Sequence, residues 1–180
     1  MKIIQTKLEG CVIITPKVFG DERGFFLESY HHERYREAAG IKETFVQDNR
    51  SRSAKGVLRG LHFQKTKPQG KLVTVTAGEV LDVAVDLRKN SDTFGQYESV
   101  MLSEENKKQF YVPPGFAHGF VVLSDIADFQ YKCTDYYDPN DESGIIWNDE
   151  TLNIDWVISN PILSDKDKNL MTFQQYSEGK

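Results

Sequence analysis

Leu81-Asp82-Val83-Ala84-Val85-Asp86-Leu87 alternates apolar and small or acidic side chains without a break. A strand turns successive side chains to opposite faces, so Leu81, Val83, Val85 and Leu87 share one face and Asp82, Ala84 and Asp86 share the other. Ala77-Gly78-Glu79 just before it reads as a hairpin turn that joins this strand antiparallel to the run Lys71–Ala77. Similar runs recur on both sides of that pair. Ile3–Leu8, Val12–Thr15, Gly24–Ser29, Thr44–Asp48 and Val57–Gln64 precede it; Tyr97–Leu102, Phe110–Val112, His118–Leu123 and Phe129–Thr134 follow. A spacing of about ten residues between short strands predicts an all-β sandwich or barrel.

One helix is expected, from about His32 to Ala39, closed by Gly40 as a C-terminal stop. The tail after Leu163 reads as helical or irregular, and about residues 172–180 are expected to fray. No repeat or Pro/Gly/Ser linker divides the chain, so residues 1–180 are taken as one domain. The β/α/β alternation of a dinucleotide fold is missing, as are G-x-G-x-x-G and a P-loop, so any phosphate would have to be held by Arg and Lys side chains.

The composition fits this reading. With 39% hydrophobic and 27% charged residues, the chain is that of a folded domain and not a disordered one. A domain of this length buries roughly 70% of its unfolded surface without needing a staple. A formal charge of −5 argues against a protein whose main task is gripping nucleic acid. Cys11 and Cys133 stand far apart, which excludes a disulfide scaffold or a thiolate zinc site and fits a reducing, cytoplasmic setting. MKIIQTKLEG lacks the pattern of a secretory signal, and no apolar run is long enough to span a membrane. Asn49-Arg50-Ser51 matches a glycosylation pattern, read as a chance match without a secretory signal.

Candidate chemistry concentrates in Gln47-Asp48-Asn49, Gly56–Gln64 and Gln69-Gly70-Lys71. Arg59, His62 and Lys71 lie within thirteen residues of strand-like sequence. His118 sits among apolar residues in Pro113–Phe120; taken alone it reads as a core histidine. His62, His118 and one carboxylate could in principle hold a metal, but the H-x-H of metal-binding barrels is missing. His31 and His32 read as a surface pair at the helix start. No serine elbow or Cys–His neighbourhood suggests nucleophilic hydrolysis.

Together, Asp21–Glu28, Gln47-Asp48-Asn49, Gly56–Gln64, Gln69-Gly70-Lys71, Gly78–Arg88, Pro114–Phe120, Tyr131-Lys132 and Leu163–Asp167 resemble the dTDP-4-dehydrorhamnose 3,5-epimerases over nearly the whole chain. The resemblance implies a cupin-like antiparallel β-barrel, a jelly roll with a few short helices, which uses neither metal nor other cofactor. It implies an isomerase that inverts C3 and C5 of a dTDP-4-keto-6-deoxy sugar, both carbons being α to the C4 ketone, in the route to L-rhamnose. By the same resemblance His62 is the base, Asp167 its partner, Lys71 the cation at the enolate oxygen and Tyr131 the acid. Arg23 and Arg59 would hold the diphosphate. Glu28, Gln47, Asp48 and Asn49 would contact the thymidine and its surroundings, and Tyr137 would stack on the base. His118, Glu142 and Lys166 fall at further ligand-contact positions. The implied assembly is a homodimer in which N-terminal strands cross over, so that Arg23 and Glu28 serve the neighbour's site.

Alternation sets one condition on this scheme: Arg59 and His62 fall on opposite faces of a regular strand. Both reach one pocket only if the strand bulges, and Gly60 is the natural place. The alternatives left open are a 3-only or 5-only epimerase, a barrel that binds nucleotide sugars without turnover, and a metal-dependent cupin.

Overall fold

The computed structural model describes residues 1–179. Its strands are β1 Lys2–Gln5, β2 Val12–Thr15, β3 Val18–Asp21, β4 Gly24–Leu27, β5 Gln47–Ala54, β6 Leu58–Gln64, β7 Lys71–Ala77, β8 Glu79–Asp86, β9 Tyr97–Ser103, β10 Gln109–Val112, β11 Phe116–Val122, β12 Ile126–Cys133 and β13 Glu142–Gly144. Helix α1 covers His32–Ala39 and helix α2 Phe173–Ser177, with a 3₁₀ turn at Asp167–Asn169. One sheet has the order β1-β2-β10-β7-β12-β5 and a second the order β13-β6-β11-β8-β9; β3 and β4 form a separate hairpin. Every ladder between these strands is antiparallel. This is the all-β architecture that the strand spacing predicts and the jelly roll that the resemblance implies.

The two sheets enclose Val73, Val75, Phe110 and Phe129 from one side and Val80, Ala84, Leu102, Phe120 and Val122 from the other. The outer face of the five-stranded sheet is also covered, and that of the six-stranded sheet in part. Tyr35 and Ala39, one helical turn apart on α1, pack on Val12, Ile14, Leu72 and Tyr111. Helix α1 starts where the His31 side chain accepts a hydrogen bond from the Arg34 N–H, and stops at Gly40, whose left-handed φ of 73° a side chain would disfavour. On the other side, Ile145, Leu152, Trp156 and Phe173 cover Leu58, Leu61, Leu81, Val83 and Val85. The five-stranded sheet is therefore buried on both faces, and β8 keeps its alternation while neither face meets water.

The structure corrects four expectations. Ala77-Gly78-Glu79 does not close a hairpin: β7 and β8 belong to different sheets, and Gly78 forms the corner between them. A Cβ there would lie 2.0 Å from the Ile126 carbonyl oxygen. The strand expected at Thr44–Asp48 runs over Gln47–Ala54, a polar edge strand without an apolar face to mark it. Val18–Asp21 is a strand that the sequence reading left out. The tail expected to fray is instead a capped turn, with Thr172 and Gln175 bonding each other's backbone and Phe173 buried; Lys180 lies outside the described residues.

The C-terminal segment is tied to β6 before it reaches the barrel mouth. The Ile162 N–H donates to Gly56 O at 2.8 Å and the Leu58 N–H to Ile162 O at 3.0 Å. Beyond this bridge the chain turns at Ser164 and presents Asp167.

Candidate active site

A cavity of about 450 Å³ opens between the sheets, lined by Ser51, Arg59, His62, Lys71, His118, Phe120, Phe129, Tyr131 and, from the C-terminal segment, Leu163, Ser164, Lys166 and Asp167. Phe120 and Phe129 stack with centroids 3.8 Å apart and mark where the apolar core ends and the cavity begins. The polar lining comes from strands whose inward side chains stop being apolar near the mouth.

The bulge required by Arg59 and His62 is present. On β11 the step from His118 to Phe120 is two residues; on β6 the opposing step from His62 to Arg59 is three. The extra residue restores both side chains to one face. Gly60 has φ 135°, and a Cβ on it would lie 2.5 Å from Gly119 Cα; one on Gly119 would lie 2.7 Å from Arg59 O. Only glycines allow the strands to close around the bulge.

His62 Nε2 lies 2.6 Å from Asp167 Oδ1. Burial works against the Asp167 carboxylate, but His62, Ser164 and Lys166 outweigh it, and its pKa sits below the usual aspartate value. The Asp167 N–H donates to Ser164 Oγ at 3.1 Å, which fixes the turn. A second pair lies beside the first. His118, the cross-strand partner of His62, shares its Nε2 between the two oxygens of Asp82 at 2.9 and 3.0 Å.

Lys71 begins β7, opposite Cys133. Burial pulls its pKa below the ordinary lysine value, against the opposing influence of Cys133, Asp82 and Glu142. Burial pushes the Tyr131 phenol up, with Arg59 pulling the other way. Cys11 and Cys133 are both free and buried.

Glu142 accepts from the Tyr137 hydroxyl at 2.6 Å and pairs closely with Lys166. Burial would raise the Glu142 pKa, yet Lys166, Tyr137 and His62 hold it below the usual glutamate value. The bond to Glu142, aided by desolvation, pushes the Tyr137 phenol up to about 12. The Tyr137 N–H donates to Gln47 Oε1 at 2.9 Å, and Gln47 Nε2 to Asn49 Oδ1 at 3.1 Å. These residues make one linked rim. The Asn49 amide donates to Cys133 Sγ at 3.5 Å, inside the strand pairing and not on a loop, so the Asn49-Arg50-Ser51 pattern carries no sugar-acceptor meaning here.

Three residues named from the sequence stand apart. Asp48 alternates outward from Gln47 and Asn49 and pairs with Lys132 at 3.0 Å; its place on β5 sends it away from the cavity. Arg23 pairs with Asp21 at the exposed tip of the β3–β4 hairpin. Glu28 pairs with Arg34 at 2.9 Å. Neither of these two lines the cavity of its own chain. Four residues join the site without being named from the sequence: Ser51 and Ser164 line the cavity, and Asp82 and Ser53 bond His118 and Arg59. Asp82 had a signal: an acid in the middle of an apolar strand, on the face opposite its valines. Among the described residues no cluster of three or more His, Cys, Asp or Glu is arranged to hold a metal ion; each of the two cavity histidines is engaged by its own carboxylate.

Comparison with known proteins follows the same line. Residues 5–175 match the family model for dTDP-4-dehydrorhamnose 3,5-epimerase. A dTDP-4-dehydrorhamnose 3,5-epimerase of Shigella flexneri is 55% identical over 174 residues, covering 96% of each chain. A dTDP-6-deoxy-D-glucose-3,5-epimerase of Legionella pneumophila, solved with dTDP-4-keto-L-rhamnose, superposes with a TM-score of 0.94 at 57% identity, over 96% of this chain and 93% of that one. A dTDP-4-dehydrorhamnose 3,5-epimerase of Bacillus anthracis, solved with TDP and PPi bound, gives 0.92 at 47% identity, over 96% and 99%.

Proposed function

The chain belongs to the dTDP-4-dehydrorhamnose 3,5-epimerase family, and from that premise we propose how its cavity carries the reaction. It is an isomerase that converts dTDP-4-dehydro-6-deoxy-D-glucose to dTDP-4-dehydro-L-rhamnose by inverting C3 and C5. Each inversion removes a proton α to the C4 ketone, passes through an enolate, and returns a proton to the other face.

His62 is the base. A histidine ordinarily titrates near neutrality and so can take the proton, and the Asp167 carboxylate at 2.6 Å orients the ring and stabilises the imidazolium. Charge then develops on the C4 oxygen, where Lys71, with His118 nearby, supplies hydrogen-bond donors in a partly desolvated site. Tyr131, held in its protonated form, delivers the returning proton. Arg59 binds the diphosphate, a guanidinium giving the bidentate contact that phosphate oxygens favour. Tyr137, Gln47, Asn49 and Glu142 receive the nucleoside at the rim. The observation that carries this reading is the His62–Asp167 pair set in one cavity with Lys71 and Tyr131.

The reading includes a second copy of the chain. Phe25 and Phe26 on the β3–β4 hairpin are 63% and 69% exposed, which favours a protein surface covering them. Arg23 and Glu28, outside the lining of their own cavity, would then complete the neighbour's. Mixing His62→Ala with Arg23→Ala chains should restore turnover at one of the two sites of the mixed dimer. The two buried free thiols suit a reducing, cytoplasmic setting.

Turnover of dTDP-4-dehydro-6-deoxy-D-glucose in D2O, followed by NMR, tests the reaction. Deuterium is expected at both C3 and C5. Label at a single carbon would reassign the chain as a mono-epimerase, and binding without label would make it a passive barrel. With Tyr131→Phe, exchange should persist while inverted product falls.

A further inference from the structure

Arg59 is set apart from the other arginines by what holds it. Arg23, Arg34, Arg50, Arg52 and Arg88 are each paired with a carboxylate, and Arg36 is exposed on helix α1. Arg59 lines the cavity and, among the described residues, has no carboxylate partner. Its Nε donates instead to Ser53 Oγ at 3.1 Å. Ser53 is buried on the inward face of β5, in the alternating series that includes Gln47, Asn49 and Ser51.

A hydroxyl and a carboxylate would do different things at position 53. A carboxylate would fix the guanidinium and also neutralise it. A hydroxyl accepts one N–H, stops the planar group from rotating, and leaves the full positive charge in place. With Nε occupied, the edge formed by Nη1 and Nη2 remains free to meet two oxygens of one phosphate. The bulge at Gly60 sets where Arg59 leaves the strand; Ser53 sets how its guanidinium is turned. We propose that Ser53 is a positioning residue for the reaction, orienting Arg59 as an uncompensated, bidentate receptor for the substrate diphosphate. This rests on the assignment of Arg59 to the diphosphate made above.

Affinities for dTDP and for thymidine, measured by calorimetry, test it, because the ratio between them isolates the phosphate contribution. Ser53→Ala should reduce that ratio about tenfold, the effect of weakening one hydrogen bond to a charged group, with thymidine binding within about twofold of wild type. The substrate KM should rise in step while kcat holds. Ser53→Thr, which keeps the hydroxyl, should restore both. Ser53→Asp should lower the ratio further by neutralising Arg59. If Ser53→Ala fails to fold, Ser53→Cys, nearly isosteric but a weak acceptor, gives the same measurement. A parallel loss of thymidine and dTDP binding would reduce Ser53 to a structural role and overturn the proposal. An unchanged ratio in Ser53→Ala beside a collapsed one in Arg59→Ala would overturn it while leaving Arg59 on the diphosphate. An unchanged ratio in Arg59→Ala would remove both.

Discussion

Asp82 and Asp86 lie four positions apart on the same face of β8, and both are 0% exposed. Their surroundings differ completely. Asp86 accepts from Arg88 Nε and Nη2 at 2.9 and 2.7 Å, from Ser91 Oγ at 2.6 Å and from Thr93 Oγ1 at 2.7 Å. Burial would raise its pKa, but these partners bring it down to about 2. Among the described residues, Asp82 has one side-chain partner, the His118 ring, beside a cavity that also holds Lys71. A carboxylate surrounded by permanent donors is a tie between segments. One whose partner is a titratable ring at a cavity wall is placed to tune charge. Burial alone does not distinguish scaffold from site; the identity and number of the partners does.

The largest effects should separate these two roles cleanly. His62→Gln or Asp167→Asn, each of which keeps a hydrogen-bonding group in the pair, is expected to lower kcat/KM by about 10²–10⁴-fold, the usual worth of positioned acid–base catalysis, with the thermal midpoint little changed. Asp86→Ala should do the reverse. Breaking a buried ion pair from one side costs about 3–5 kcal/mol, which for a domain of this size lowers the midpoint by roughly 10 °C, while the folded fraction keeps its kcat. Steady-state kinetics beside calorimetric melting reads both. A His62 variant that melts like Asp86→Ala, or an Asp86 variant that is folded and inactive, breaks the comparison.

Asp82→Asn sharpens it. The amide has the shape of the carboxylate but supplies no charge to His118 or Lys71. Activity should fall about tenfold or more, the scale of one charge-assisted hydrogen bond. Stability should stay level or rise, because removing a desolvated charge offsets the lost attraction. A large drop in the melting point with kcat/KM intact would move Asp82 into the scaffold beside Asp86.

Much of this was open to reading in the chain. Helix α1 and its stop at Gly40 follow from local chemistry, and the alternation of β8 survives in the structure. The condition placed on Gly60 by the spacing of Arg59 and His62 is met by the register step against β11. What could not be read depends on elements far away in sequence. Nothing local shows that Trp156 and Phe173 return to cover the outer face of β8, so its acidic face could be taken for a solvated one. Gly78 suits a hairpin and a corner equally well; the pairing of β7 with β10 and β12 decides. The cavity-facing strand Gln47–Ala54 hides its ends because both of its faces are polar, one for water and one for the cavity.

The smallest effect isolates the charge of Asp86 from its packing. A carboxyl whose pKa is depressed in the folded state stabilises that state above its unfolded pKa and stops doing so as pH falls through the folded value. For Asp86 the window runs from the ordinary 3.8 down to about 2, a shift worth roughly 2 kcal/mol. Asp86→Asn keeps the size of the side chain and cannot ionise, so its unfolding free energy lacks this pH dependence. Urea unfolding of wild type and Asp86→Asn should therefore show a gap that is constant near neutrality. The gap should narrow below about pH 4 and lose roughly 2 kcal/mol by about pH 2. A gap that does not change with acid would mean that Arg88, Ser91 and Thr93 hold this corner equally well around an uncharged group. The contrast with Asp82 would then be one of packing and not of charge.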